Sequence, residues 1–323
     1  MRYRKVRRVL ITHTDLDGVA SGALIMKKYG HLDKIYFTQP HNLHARLAGI
    51  PNGSIVHITD IGVNKTSLDR IKENIKRILN SGGEIYWFDH HVWEESWIKE
   101  LTELGVTLYV DKTTCSAGVV SKYLEVENSE ELVKATCSVD LWLMNDWRGN
   151  FLSRYVGYAG GASWKEKALK KLVSFDGSID SEVSEVVERA VTEELKIYDK
   201  ALKKAKIREC GDLKIVYYFK DQEEHLTSYI ANILMSRYGA DVAVICRRGS
   251  VSLRSKSIDV RKVALSMGGG GHPRAAGAGL KPDLIRRVMY FLGFKKLYTE
   301  WCVNKVFQHL LLTQTCLNQP PPL

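Results

Sequence analysis

The sequence predicts an α/β protein whose first part is a doubly wound, mainly parallel sheet of five strands. Short runs of β-branched and aromatic residues alternate along the chain with longer segments that have the apolar spacing of helices. Three of the short runs are followed directly by Asp and His side chains. Such a position is typical of the carboxyl edge of a parallel sheet, where ligands collect.

The five strands are predicted from their β-branched and aromatic content and from the turns that bound them. They are expected at residues 6–12, 34–38, 55–59, 85–88 and 107–111. Helices are expected between them; for example, the apolar residues of segment 65–79 recur at helical spacing. This α/β domain is assigned to residues 1–150.

Three further segments complete the predicted organisation. Residues 151–205 are rich in Glu and Lys and are interpreted as a helical connector, and residues 206–294 are expected to form a smaller α/β domain. Residues 295–323 form a tail of unknown role, in which an amphipathic helix is expected to pack on the body of the protein or on a partner. The last residues, 317–323, contain three prolines and are expected to be disordered.

The composition favours a polyanion-binding protein of the cytoplasm. Lys and Arg exceed Asp and Glu by 10 charges over 323 residues, a balance typical of proteins that bind nucleic acids. The 6 cysteines are widely spaced, without a Cys-x-x-Cys motif, which predicts unpaired thiols in a reducing compartment. No long uncharged apolar window occurs, so we expect no membrane span.

The polar residues at the strand ends form three clusters with metal-ligand chemistry. They are His13, Asp15 and Asp17 after the first strand, Asp60 after the third, and Asp89, His90 and His91 after the fourth. Oxygen and imidazole donors without thiolates favour Mn²⁺, Mg²⁺ or Zn²⁺, and several carboxylates in one place suggest two ions. A chance cluster at three strand ends is a poor alternative, because converging carboxylates without cations would repel one another.

A second motif lies in the C-terminal half. Residues 266–279 contain a run of four glycines followed by His272 and Arg274, and Arg254 lies on the strand that precedes them. Glycine allows a ligand to approach the backbone amides closely, so this stretch is interpreted as an anion-binding loop.

Taken together, these motifs resemble the DHH phosphoesterase superfamily, which includes RecJ-like nucleases, oligoribonucleases and related phosphatases. The resemblance covers roughly residues 6 to 290 and implies two Mn²⁺ ions, with Mg²⁺ as the alternative. It implies that His13, Asp15 and Asp60 hold one ion, that Asp17, Asp60, His90 and Asp140 hold the other, and that Asp60 bridges them. Asp146 lies close to Asp140 and is an alternative for the fourth motif.

The resemblance also implies roles for the remaining motif residues. Asp89 would orient a ligand imidazole, and His91 would contact the scissile phosphate. The Gly-rich loop would grip the terminal nucleotide of a substrate. Its binding residues would be Arg254, Gly269, Gly270, Gly271, His272 and, with less support from the motif, Arg274.

Three functions follow from this resemblance. The first is an exonuclease that releases nucleoside monophosphates from single-stranded or short RNA or DNA. The second is a phosphatase of nucleotide 3′,5′-bisphosphates or a dinucleotide phosphodiesterase, which would use the same metals. The third is a non-catalytic RecJ-like scaffold with a repair or replication protein as its partner, whose signature would be lost ligands. The resemblance disfavours a fourth function, that of a family II pyrophosphatase, because those enzymes share the first domain but lack the second.

Overall fold

The computed structural model describes residues 7–63, 65–220 and 226–313. By its internal contacts the chain divides into two units, Met1–Ala190 and Val191–Leu323. The division falls inside a helix of the predicted connector. The predicted disordered segment 317–323 and the first residue of the predicted first strand, Val6, lie outside the described residues.

The first unit alternates strands and helices. Its elements are β1 (Arg8–Thr12), α1 (Leu16–Tyr29), β2 (Lys34–Phe37), α2 (Leu43–Ala48), β3 (Ile55–Thr59), α3 (Leu68–Asn80), β4 (Glu84–Asp89), α4 (Glu95–Glu103), β5 (Thr107–Val110), α5 (Ser116–Leu124), α6 (Glu130–Asp140), α7 (Trp147–Gly157) and α8 (Ala162–Leu172). Helix α9 (Ser181–Lys204) follows and continues into the second unit.

The five strands of the first unit form one parallel sheet in the order β2-β1-β3-β4-β5. This confirms the predicted fold class. The order of the strands in the sheet departs from their order along the chain at β1, because the chain passes from β1 to one side and then returns to the other. Ligands commonly bind at such a point in α/β proteins. Buried aliphatic residues of β1, β3 and α3 pack around Trp87 on one face of the sheet.

The second unit is a smaller α/β structure around a mixed sheet. Its elements are β6 (Lys206–Cys210), β7 (Leu213–Phe219), α10 (Thr227–Tyr238), β8 (Val242–Arg247), β9 (Ser250–Ser255), α11 (Val260–Ser266), β10 (Gly270–Gly271), β11 (Ala275–Gly279), α12 (Leu284–Phe291) and α13 (Lys295–Leu312). The sheet order is β10-β11-β9-β8-β7-β6. Only the β7–β8 pair is parallel among these neighbours.

Helix α13 corresponds to the amphipathic helix predicted in the tail. Val303, Val306 and Leu310 are buried in the core of the second unit, against residues of β8 and α11. The apolar spacing of this segment therefore serves packing within its own unit. No described helix is both long and apolar enough to cross a bilayer.

The prediction of unpaired cysteines is wrong for one pair. Cys115 and Cys137 form a disulfide, with their Cα atoms 5.1 Å apart. Cys115 precedes α5 and Cys137 lies in α6, so the pairing depends on the packing of these two helices. Cys246 and Cys302 are buried thiols in the second unit.

Candidate functional site

The polar strand ends of the first unit meet at one edge of its sheet. In the parallel register Thr12 of β1 pairs with Thr59 of β3, and Thr59 pairs with Phe88 of β4. The residues that directly follow these three positions therefore lie side by side at one edge of the sheet. This register brings the three motifs together, although they are far apart in the sequence.

The first group of candidate ligands consists of His13, Asp15 and Asp60. His13 Nδ1 lies 2.8 Å from Asp15 Oδ2 and 3.4 Å from Asp60 Oδ2. The other ring nitrogen, Nε2, lies 3.1 Å from Gln39 Oε1, which fixes the orientation of the ring. Asp15 also caps α1 by accepting a hydrogen bond from the Gly18 amide. Gly18 is required here because a Cβ atom would lie 2.6 Å from the His13 carbonyl oxygen.

The second group surrounds His90, which is buried. His90 Nε2 lies 3.5 Å from Asp17 Oδ2, 3.4 Å from Asp60 Oδ1 and 3.4 Å from Asp140 Oδ2. Asp17 accepts hydrogen bonds of 2.7 and 2.8 Å from the first two backbone amides of α5. The start of a helix favours an anion, so these amides hold the Asp17 carboxylate in place and oppose the rise of its pKa that burial causes.

Asp60 belongs to both groups. Its Oδ1 faces His90 and its Oδ2 faces His13. Its backbone has a φ of 57°, a left-handed conformation that is uncommon for a residue other than glycine and that is found at functional sites. Among the described residues, Asp60 Oδ2 and Asp140 Oδ2 are buried without a hydrogen-bond partner.

The mutual repulsion of these buried carboxylates would be relieved by a bound cation. Burial, together with the neighbouring Asp15 and Asp17, raises the pKa of Asp60 well above its usual value. Burial and Asp17 do the same to the pKa of Asp140. Burial lowers the pKa of His13, but the carboxylates of Asp15 and Asp60 outweigh it and raise this pKa to about 12. A divalent cation would replace these protons, and the oxygen and imidazole donors suit Mn²⁺ or Mg²⁺.

Asp89 has a different role from the carboxylates around it. Its Oδ1 lies 2.8 Å from His91 Nδ1, and its Oδ2 accepts a hydrogen bond of 2.6 Å from Trp93 Nε1. Burial lowers the pKa of His91, but the Asp89 carboxylate outweighs it and raises this pKa to about 9. Asp89 thus orients the imidazole of His91. Trp93 precedes α4 rather than lying in a helix, and it packs edge-on against Trp87 in the core.

The structure separates the two candidates for the fourth motif. Asp140 lies at the end of α6 beside His90, whereas Asp146 caps α7 and forms an ion pair of 2.6 Å with Arg148. Helix α6 ends at Asp140, and Trp142 and Met144 then adopt positive φ. Asp140 but not Asp146 belongs to a described group of possible metal ligands.

Several residues that support the site carry no recognisable motif. Gln39 contacts His13, Trp93 contacts Asp89, and the amides of Ser116 and Ala117 contact Asp17. Lys165 on α8 is buried, which lowers the pKa of its ammonium, while the charge of Asp15 opposes that shift. Their positions follow from tertiary packing, and only the N-terminal position of the two α5 amides could have been suspected from the sequence.

In the second unit, the predicted Gly-rich loop forms a hairpin of β10 and β11. Gly271 has a φ of 128°, and a Cβ atom on Gly269 would lie 2.1 Å from the Gly277 carbonyl oxygen. These two glycines are therefore required by the hairpin itself. Gly270 differs, because a Cβ atom there would meet nothing within 4 Å and would project into open space. His272 and Ala275 close the hairpin with backbone hydrogen bonds of 2.9 and 3.2 Å.

Arg254 lies on β9 beside this hairpin, in register with Ala275. Its Nε donates to Ser228 Oγ at 3.2 Å and its Nη1 donates to the Leu253 carbonyl at 2.9 Å. Burial and the nearby Arg247 lower the pKa of Arg254 to about 10.

Arg247 was not predicted as a site residue. Its Nε is buried and lacks a hydrogen-bond partner within the described part of the chain. Arg247 lies on β8, next to the strand that carries Arg254, and its charge contributes to the lowered pKa of Arg254. Arg274 lies in the hairpin turn with an exposed side chain, and its carbonyl accepts a hydrogen bond from the Ser255 amide.

Comparison with known proteins agrees with these features in both units. The family model of the DHHA1 domain matches residues 212–292, which contain Arg254 and the hairpin. Oligoribonuclease NrnB of Bacillus subtilis strain 168 is 25% identical over 314 residues, covering 85% of this chain and 73% of that protein.

Two solved structures share the fold of this chain. One is the pGpG-specific phosphodiesterase PggH from Vibrio cholerae, with a TM-score of 0.53, 15% identity, and coverage of 91% of this chain and 99% of that one. The other is RecJ from Thermus thermophilus in complex with Mn²⁺, with a TM-score of 0.55, 16% identity, and coverage of 95% and 57%. The DHHA1 match and the likeness to NrnB support the DHH phosphoesterase superfamily for this chain, and the two solved structures agree with it in fold.

Proposed function

We propose that this protein is a metal-dependent phosphodiesterase that removes nucleoside monophosphates from an end of single-stranded or short RNA or DNA. The observation that carries the proposal is the position of Asp60, whose two carboxylate oxygens face two separate groups of His and Asp side chains. A carboxylate in this position is suited to bridge two divalent cations. Each ligand position of the motifs carries an Asp or His side chain, which argues against a non-catalytic scaffold.

The chain would bind the cations through the two groups described above. His13, Asp15 and Asp60 would hold one, and Asp17, Asp60, His90 and Asp140 would hold the other. When bound, two such ions supply a water of lowered pKa and neutralise charge at the phosphate. We assign Mn²⁺ to this role, with Mg²⁺ as an alternative of the same ligand chemistry.

The remaining motif residues would act on the substrate. His91, held by Asp89, would donate a hydrogen bond to the scissile phosphate, and its raised pKa keeps the ring protonated for that purpose. Arg254, His272 and the backbone of Gly269–Gly271 would bind the phosphate of the terminal nucleotide. Arg274 is the least supported member of this set because its side chain is exposed. Arg247 would add a second guanidinium.

A second candidate function is the hydrolysis of dinucleotides. It is favoured by the fold shared with PggH, whose length is matched almost completely by this chain. Such an enzyme would use the same residues on a substrate without a trailing strand. Phosphatase activity on nucleotide 3′,5′-bisphosphates belongs to the same alternative.

One experiment separates these functions. End-labelled RNA and DNA, from dinucleotides to strands of about 30 nucleotides, are incubated with Mn²⁺ and resolved on a gel. We expect stepwise loss of single nucleotides, with binding of long strands that weakens as salt rises, by a slope of about −0.7 for each phosphate neutralised. Cleavage confined to dinucleotides or bisphosphates would favour the second function, and undiminished cleavage in excess chelator would refute the metal-dependent mechanism.

A further inference from the structure

The second unit contains a lysine-rich cavity at the β6–β7 edge of its sheet. The Gly-rich hairpin lies at the opposite edge. The volume of the cavity is about 290 Å³, close to the lower end of the range for ligand pockets, which is about 300 Å³. Five lysines line it, and no acidic side chain does so among the described residues. They are Lys200 and Lys204 of α9, Lys206 at the start of β6, and Lys295 and Lys296 at the start of α13.

The floor of the cavity is fixed by packing and by one ion pair. Phe219 of β7 lies against Tyr290 and Tyr298, with ring centroids 5.9 and 6.0 Å away. Lys206 forms an ion pair of 2.7 Å with Glu300. The cavity therefore has a rigid apolar base surrounded by ammonium groups.

The positive charge of the cavity is only partly neutralised by the rest of the unit. Within the described part of the chain, no ion pair or hydrogen bond occupies the ammonium of Lys204 or Lys296. Lys200 and Lys204 lie four residues apart on one helix, a spacing at which like charges destabilise a helix. A cluster of this kind repels cations and gains stability when a polyanion enters it.

The sheet order separates this cavity from the hairpin. From β10 to β7 there are four strand steps, and with about 4.8 Å per step the two sites are about 19 Å apart along the sheet. A single phosphate bound by the hairpin cannot reach the cavity. The cavity is thus separate from the hairpin, and it is formed in part by α13, which lies outside the DHHA1 match.

We propose that this cavity binds phosphate groups of a nucleotide or of a nucleic-acid strand, independently of the Gly-rich hairpin. Ammonium groups recognise the charge of a phosphate without reading a base, so the site would have no sequence preference. The choice of a nucleic-acid probe rests on the proposed function, but binding at this site requires neither catalysis nor a metal ion.

The test compares two double variants with the same change in charge. Lys204→Glu/Lys296→Glu alters the cavity, and Lys203→Glu/Lys305→Glu alters exposed lysines of the same two helices that do not line it. Binding of a labelled single strand of about 12 nucleotides is measured by fluorescence anisotropy with EDTA present, over a series of salt concentrations. Thermal unfolding of each variant checks that the fold is retained.

We expect the cavity variant to bind about tenfold more weakly or worse, and its salt slope to fall by about 1.4, since each of two phosphates contributes about 0.7. The control should lose less than about threefold. Competition by a nucleoside monophosphate that disappears in the cavity variant would identify a free nucleotide as the ligand, whereas competition by strands alone would identify the backbone.

Equal losses in both double variants, or no loss in either, would overturn the inference. Hydrolysis of a dinucleotide with Mn²⁺ is measured separately on the same preparations. An inactive protein that still binds through the cavity would contradict the proposed function and leave the second anion site intact.

Discussion

The two candidate binding regions are built in different ways. In the first unit, the candidate metal-ligand groups come from four distant segments of the chain. Gln39 and the α5 amides hold two of their members, His13 and Asp17, and Trp93 holds the neighbouring Asp89. In the second unit, the hairpin is one continuous segment beside Arg254. The comparison shows that the motifs of the first unit consist mainly of polar side chains, whereas two glycines of the second unit's motif are required by the hairpin itself.

The largest expected effect separates the two aspartates of the fourth motif. Asp140→Asn should lower kcat/KM by more than about 100-fold. Loss of a residue that merely orients a metal ligand already lowers metal affinity or activity by about 10–100-fold, and Asp140 is proposed as a ligand itself. Asp146→Asn is the matched control, since it removes the same charge from a residue that caps α7 and pairs with Arg148. Steady-state kinetics with Mn²⁺ measure both; equal losses would contradict the placement of Asp140 at the site.

A smaller effect is expected from a contact that only orients His91 through Asp89. Trp93→Phe keeps the aromatic packing against Trp87 but removes the donor to Asp89. We expect activity to fall about 10–100-fold while Mn²⁺ affinity changes little, because Asp89 acts through His91. Activity and Mn²⁺ binding are measured on the same preparation. If Trp93→Phe hydrolyses substrate as fast as the unchanged protein, this contact does not orient His91.

The hairpin offers a test of which glycines serve packing. Gly269→Ala should destabilise the protein by about 1–3 kcal/mol, the usual cost of overpacking, because its Cβ would meet the Gly277 carbonyl at 2.1 Å. Gly270→Ala should leave stability nearly unchanged and raise KM several-fold, since its methyl group projects into open space. Chemical denaturation and kinetics distinguish them. A normal KM in Gly270→Ala would argue against close approach of a phosphate there.

The smallest effect concerns pH. The raised pKa values of Asp60 and Asp140 mean that the folded, metal-free protein holds protons more tightly than the unfolded chain. Its stability should therefore decline as pH rises from the usual Asp pKa towards the raised values, while Mn²⁺ affinity should increase because fewer protons must be displaced. Thermal unfolding with EDTA and calorimetric titration with Mn²⁺ measure these trends. A rise of metal-free stability over that range would contradict the assignment.

The sheet of the first unit was predictable because its strands are short, β-branched and bounded by turns. The five observed strands lie within about two residues of the predicted ones. The meeting of His13, Asp60 and Asp89 at one edge was predictable for the same reason, since parallel strands end on one side.

Other features depended on packing between elements. The end of α6 carries no Gly or Pro signal, and positive φ at Trp142 and Met144 is imposed by the surrounding structure. The disulfide of Cys115 and Cys137 depends on how α5 and α6 meet. The electrostatic effect of Arg247 on Arg254 depends on the pairing of their two strands. The domain boundaries at residues 150, 205 and 294 and the roles of the site residues stay predictions.

The central claim is that Asp60 bridges two cations. Crystals grown with Mn²⁺ and measured at the Mn absorption edge test it directly by anomalous scattering. We predict two peaks about 3.5–4 Å apart, one on the His13 side of Asp60 and the other on the His90 side. A single peak, or two peaks of which neither lies against Asp60, would contradict the claim.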